Sequence, residues 1–234
     1  MAPNVLSLFQ QNLRHCTAAS NQLKVLYSPQ PDILLIQEPY LAPEIGFLPV
    51  YSHSCRILCS PDVRKPKLST IITNPSLIVS IVPEFSNHFC LTVSILTTNR
   101  PIYLSNCYIR PNTYSDEHSI FFNSLLSRFS VCDFVLCGDF NARNMAWGDR
   151  LTSRQGRLFA DDLSLFNLSL CNTRGFTCFI NNGRAVGQSV VDLTFVSPSL
   201  HSSISGWRLE QEITFSDHAS ILFSLRVRDC LLSS

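Results

Sequence analysis

Several acidic, amide and imidazole side chains stand where apolar runs of the sequence end. Glu38 directly follows the run 32–37 (DILLIQ). A carboxylate there is costly unless it caps something, pairs, or binds a cation. Its plain alternative is a solvated residue in the loop that Pro39 begins. Gly138-Asp139-Phe140-Asn141 follows the run 134–137. Strand alternation predicts Asp139 and Asn141 on one face and Phe140 toward the core. Gly138 lets a ligand or backbone come close. A carboxylate beside an amide at a strand's carboxyl end suits Mg²⁺ and a phosphate oxygen, although Gly, Asp and Asn also make ordinary turns. Asp192 interrupts the apolar run 190–196 and needs a partner. His218, in Ser216-Asp217-His218, is the candidate. A carboxylate on its far nitrogen orients an imidazole and keeps it basic, while the near nitrogen faces a substrate. Adjacent side chains diverge, so Asp192 is the better orienting partner and Asp217 is left to face a metal or an attacking water. Asn12 and Tyr108 end two further runs.

Many strands must end together to gather such groups. The pattern predicts strands over 5–11, 32–37, 56–60, 70–73, 78–82, 90–96, 101–108, 133–137, 204–209 and 219–227. It predicts helices over 15–27, 116–129 and 154–167, the last capped by Ser153. Residues 176–195 read as a hairpin, FTCFI and VVDLTFV joined by the turn-rich NNGRAVGQS. This is too much β-structure for a doubly wound unit and too much helix for a plain sandwich. The expectation is a single α/β (α+β) domain over 1–234, a four-layer sandwich of two packed, mostly antiparallel sheets flanked by helices.

Composition agrees with a thick core. Of 234 residues, 45% are apolar, 15% are charged and 16 are Phe, which excludes disorder. Net charge is +1, so global charge announces no polyanion. Arg outnumbers Lys by 15 to 3, and the planar guanidinium fork suits phosphates and base edges. The ten cysteines sit mostly in apolar runs, lack a CxxC pair and follow no visible signal peptide. They predict a reduced protein that is not secreted, without a zinc site. No apolar run reaches 18 residues, so no membrane partner is expected.

The ordered set carries more than its members. Gln11-Asn12, Gln37-Glu38, Asn106-Cys107-Tyr108, Gly138-Asp139-Phe140-Asn141, Val191-Asp192-Leu193 and Ser216-Asp217-His218 together resemble the endonuclease/exonuclease/phosphatase superfamily. Ile36-Gln37-Glu38-Pro39-Tyr40, the Trp147-Gly148 that follows Asp-Phe-Asn-Ala, and Arg154-Gln155-Gly156-Arg157 resemble the endonuclease domains of non-LTR (LINE-type) retrotransposons. The resemblance implies a four-layer sandwich that nicks one strand of duplex DNA and leaves a 3′-hydroxyl to prime reverse transcription. It implies catalytic roles for Asn12, Glu38, Tyr108, Asp139, Asn141, Asp192, Asp217 and His218. Glu38, Asn12 and Asp217 would hold Mg²⁺, or Mn²⁺ in its place. Arg110, Asn112, Arg143, Asn144, Trp147, Arg154 and Arg184 would meet DNA, the last at the tip of a hairpin that enters the minor groove. Implied partners are double-stranded DNA and the reverse-transcriptase domain of the same polyprotein, with work in the nucleus after cytoplasmic synthesis. Asn144 stands near where relatives often carry His, and Arg14 where abasic endonucleases carry Asp. Two other classes compete: a phosphoesterase of the same fold acting on phosphoinositides or phospholipids, and an inactive DNA-binding remnant.

Overall fold

The structure, a computed structural model, describes residues 5–26, 29–41, 55–61, 65–181, 186–210 and 215–227. The chain opens with β1 (Val5–Asn12), α1 (Thr17–Leu26), β2 (Ile33–Gln37), β3 (Arg56–Cys59) and β4 (Leu68–Ile72). There follow β5 (Val79–Ile81), β6 (Cys90–Ile95), β7 (Ile102–Tyr108), α2 (Asp116–Phe129) and β8 (Asp133–Asp139). Then come α3 (Arg154–Ser164), β9 (Ser169–Leu170), β10 (Cys178–Asn181), β11 (Val186–Ser189) and β12 (Asp192–Val196). The last two strands are β13 (Ile204–Glu210) and β14 (Ser220–Arg226).

Two six-stranded sheets form, in the orders β13-β14-β1-β2-β4-β3 and β5-β6-β7-β8-β12-β9, while β10 and β11 make a separate ribbon. Each sheet has one parallel pair, β1 with β2 and β7 with β8, at its centre. The other pairs among the described strands are antiparallel. A parallel pair needs a crossover, and α1 and α2 supply it. The fold therefore repeats one βαβ unit in each sheet, and the carboxyl ends of β1 and β2, and of β7 and β8, carry Asn12, Glu38, Tyr108 and Asp139.

Side-chain alternation builds the layers. Leu8, Ile33 and Leu35 join Val93, Leu104, Val135 and Cys137 in the core between the sheets. Their neighbours Phe9, Leu34 and Ile36 point the other way, onto Ala19 and Leu23 of α1. On the far side Phe122, Phe129, Phe134, Phe140 and Phe159 bind α2 and α3 to the second sheet. Phe140 stacks on Phe159 at 4.5 Å between centroids, an aromatic contact worth about 1 kcal/mol beyond its burial. The layers run α1, first sheet, second sheet, α2 with α3, as expected from the sequence. Nine cysteines are described and all are free thiols. Among the described residues no helix is long and apolar enough to cross a membrane.

The hairpin departs from expectation. FTCFI pairs with Val186–Ser189, inside the stretch read as a turn. Residues 192–196 leave the ribbon and pair with β8 in the second sheet. The buried Val190 and Val191 carry the chain across. Asp192 thus opens a strand, directly opposite Asp139, instead of interrupting one.

Candidate active site

The carboxyl ends of the central strands open into a cleft of about 570 Å³. Asn12, Glu38, Tyr108, Asp139, Asn141, Asp217 and His218 all line it, joined by Arg14, Cys178, Phe179 and Phe215. Asp192 lies behind His218. A second cleft, about 510 Å³, lies at the opposite end of the strands, where Arg100 pairs with Asp133. It holds none of these residues.

Backbone conformation shapes the rim. The described non-glycine residues with positive φ are Arg14 (48°), His15 (53°), Glu38 (44°), Asn112 (59°) and Asn141 (47°). All five follow the carboxyl ends of the central parallel strands β1, β2, β7 and β8. Such conformations are costly and cluster at functional sites. Asn141 lies beyond the last residue of β8, so strand alternation does not align it with Asp139. A left-handed turn does so instead. Asn141 donates to Asp139 from its main-chain N–H, at 3.0 Å, and from Nδ2, at 3.1 Å. Gly138 is required where it stands, because a Cβ there would lie 2.0 Å from the Cys107 carbonyl oxygen.

Asn12 is a bridge. Its Nδ2 donates to Asp139 Oδ2 at 2.8 Å and reaches Glu38 Oε2 at 3.4 Å. The Arg14 main-chain N–H donates to its Oδ1 at 2.8 Å. An N–H only donates, so the carbonyl end of the amide faces Arg14 and its NH₂ faces the carboxylates. In this orientation the NH₂ of Asn12, expected from the sequence as a metal ligand, links the two acidic groups.

His218 Nδ1 sits 2.9 Å from Asp192 Oδ2, and Nε2 faces Asp139 and Asp217 at 3.9 and 3.8 Å. Burial alone would lower the affinity of His218 for a proton; the Asp192 charge and hydrogen bond and the nearby Asp139 outweigh it, so its pKa is raised. Asp139 is 1% exposed. Burial and then the Asp192 charge push its pKa up to about 7, against the pull of His218 and Asn12. Burial, followed by the charge and hydrogen bond of Glu38, also raises Tyr108 and keeps it a phenol.

Glu38 is held differently. Its Oε1 lies 3.5 Å from His15 Nε2 and 3.7 Å from Lys67 Nζ. Pro39 O can only accept, so His15 Nδ1, 2.8 Å away, carries hydrogen. Asp217 pairs with Arg14, while its buried Oδ1 accepts no hydrogen bond. Sequence reasoning missed His15 and Lys67. His15 follows Asn12 by three residues, but nothing in the sequence places Lys67 beside it, because the meeting depends on β2 pairing with β4.

Two clusters offer ligand atoms within 4.8 Å of one another, Asp139 with Asp192 and His218, and Cys178 with Asp217 and His218. His218 belongs to both and its Nδ1 is taken by Asp192. The carboxylates of Glu38 and Asp217, which both line the cleft, offer oxygen donors, which suits a hard divalent cation.

The expected DNA contacts divide. Arg110, Asn112 and Arg154 are exposed. Arg184 lies outside the described residues. Arg143 is committed to Asp149 at 2.9 Å and to the Gln188 carbonyl at 3.1 Å. Burial alone would raise Asp149; hydrogen bonds from Arg143, Val190 and Leu151 overcome it and hold this carboxyl below its usual range. Asn144 and Trp147 are interior, against expectation. Asn144 caps a short 3₁₀ turn by accepting from Ala146 N at 2.9 Å and donates to Gly156 O at 3.0 Å. Trp147 donates to Ala142 O at 2.9 Å and packs its ring on Phe159 and Phe195. Gly148, at φ 91°, ends the turn beside Trp147.

A two-sheet sandwich with an acidic, imidazole-bearing cleft over its central strands is the architecture of the endonuclease/exonuclease/phosphatase nucleases. The profile of the endonuclease-reverse transcriptase family matches residues 102–222, and the chain belongs to that family. Among solved structures it resembles the endonuclease domain of TRAS1, a telomere-specific non-LTR retrotransposon. The TM-score is 0.85 at 23% identity, covering 96% of this chain and 100% of that one. The AP endonuclease LMAP from Leishmania major gives 0.75 at 13% identity, with 96% and 88% covered. The 3′-5′ exonuclease NExo from Neisseria meningitidis gives 0.65 at 16% identity, with 95% and 100% covered. No curated protein matches the sequence.

Proposed function

We propose that this domain is a Mg²⁺-dependent endonuclease that nicks one strand of duplex DNA and leaves a 3′-hydroxyl for reverse transcription. The observation that carries the reading is the convergence of Asp139, Asn12, Glu38, Asp217 and the Asp192–His218 pair in one cleft. Glu38 and Asp217 would hold the cation, which supplies Lewis-acid neutralisation of charge on the phosphate and the leaving 3′-oxygen. Mn²⁺ suits the same oxygen donors.

The chain's own groups divide the remaining work. Asp139 accepts the proton of the attacking water. Asn12 and Asn141 hold its carboxylate in place, and its raised pKa is matched to exchange near neutrality. His218, kept protonated by Asp192, directs Nε2–H into the cleft and donates to a non-bridging phosphate oxygen. Tyr108, whose phenol donates to Glu38, would reach the same phosphate once that hydrogen leaves the carboxylate. Arg110, Asn112 and Arg154 contact the duplex backbone, whose affinity then falls as salt rises. The nucleus is the proposed site of action, with the reverse transcriptase of the same polyprotein as the partner that uses the nick.

Nicking of supercoiled plasmid in Mg²⁺ tests the reading. The wild type should give open circles, and Glu38→Ala and His218→Ala, both folded by circular dichroism, should not. A wild type that is inert on DNA and releases phosphate from phosphoinositides would overturn it.

A further inference from the structure

Arg14 lies on the rim of the cleft, with its side chain 59% exposed and a nitrogen bonded to Asp217 Oδ2. Its main chain is fixed by the bond to Asn12 Oδ1 and by a left-handed φ of 48°. Those two restraints turn the chain back over the cleft, so the side chain meets Asp217, 203 residues later in sequence. The other oxygen of Asp217 is buried without a hydrogen bond. One carboxylate thus presents one oxygen to a guanidinium, while the other faces His218 Nε2 at 3.8 Å without a hydrogen bond.

A divalent cation on Asp217 and a guanidinium on the same carboxylate repel each other. Guanidinium also matches a phosphate as well as it matches a carboxylate, through two parallel hydrogen bonds. We propose that Arg14 is a positioning residue that couples metal loading to DNA binding. Without DNA it occupies Asp217 and competes with the cation. A backbone phosphate takes the guanidinium, and Asp217 turns wholly to the metal. Linkage makes the effect reciprocal, so metal tightens phosphate binding by the same factor. The inference rests on the reading of Glu38 and Asp217 as cation ligands. Its consequence is a nuclease that fills its metal site most readily on DNA.

The test is Mn²⁺ binding to the whole DNA-free protein, followed by electron paramagnetic resonance. Arg14→Gln should bind Mn²⁺ about two- to five-fold more tightly than wild type, the range an exposed ion pair commands. That gain should vanish when Asp217→Asn is also present. Arg14→Gln should also lower the slope of log affinity for duplex against log salt by about 0.9, one phosphate contact. Equal or weaker Mn²⁺ binding by Arg14→Gln, or a gain that persists with Asp217→Asn, overturns the competition. An unchanged salt slope overturns the transfer of Arg14 to phosphate. Glu38→Gln separates the two readings. If it weakens Mn²⁺ binding while Arg14→Gln changes nothing, the coupling fails and the metal site stands. If it binds Mn²⁺ like wild type, the metal reading falls and the coupling with it.

Discussion

The two sheets bring carboxylates in different electrostatic settings to one cleft. From the first sheet come Glu38 and Asp217, partly exposed and each beside a cation, Lys67 for one and Arg14 for the other, with the His15 imidazole 3.5 Å from Glu38. From the second come Asp139 and Asp192, buried to 1% exposure and opposite each other across an antiparallel pair. Their only cation within ion-pair distance among the described residues is His218, which β14 delivers from the first sheet. On the proposed reading, the carboxylates that face the cleft beside basic side chains would serve as metal ligands, whereas Asp139, buried beside Asp192, holds its proton more tightly, as a base working near neutrality must.

Replacing the base should give the largest effect. Asp139→Asn keeps the shape and one oxygen able to accept from Asn12 and Asn141 Nδ2, gives up the bond from the Asn141 main-chain N–H, and removes proton acceptance. Plasmid nicking should fall about 10³-fold at saturating Mg²⁺, the usual scale of general-base loss. A fall under tenfold would move the base elsewhere.

Asp192→Asn sharpens the comparison. Asp192 raises His218 and also raises Asp139, so its removal lowers both pKa values. Imidazolium is then lost at lower pH and Asp139 ionises at lower pH. Both limbs of the pH–rate profile should move acidward, and the rate at neutrality should fall about 10²-fold. A single limb moving would show that Asp192 serves only one of the two groups.

The smallest effect is expected outside the cleft. Asn144→Ala removes a cap and a buried hydrogen bond, costing about 1 kcal/mol in urea unfolding. Its nicking rate and duplex affinity should match wild type when folded. A specific loss of duplex affinity would return Asn144 to the DNA-facing set.

Different physical links decide which of these features a sequence displays. Glu38, Asp139 and His218 were legible because a charged group next to a continuous apolar run demands an explanation. The four layers were legible because continuous apolar strands require cover on both faces. Trp147 was misplaced because the resemblance that marks Trp147-Gly148 does not say which way the ring points, and the turn at Gly148 accompanies a ring packed inward. The link that Asn12 makes between Asp139 and Glu38 was hidden because the direction of its amide is set by the Arg14 N–H, which a strand-end pattern does not display. The hairpin was misread because VVDLTFV continues the β-pattern without a break while its chain passes between sheets. Lys67 stayed hidden because its meeting with Glu38 is a matter of strand pairing alone.

One feature of the connectivity bears on synthesis. The site closes through contacts between the two ends of the described chain. Gln11 Nε2 donates to the His218 carbonyl across 207 residues, Ser216 Oγ donates to the Asn12 carbonyl across 204, and β14 pairs with β1. A chain leaving the ribosome carries Asn12, Glu38 and Asp139 long before it carries Asp217 and His218. Until β14 emerges and docks beside β1, the cleft lacks both Asp217 and His218. On the proposed reading, strand order alone therefore keeps the cleft incomplete until the last strand of the domain has been made.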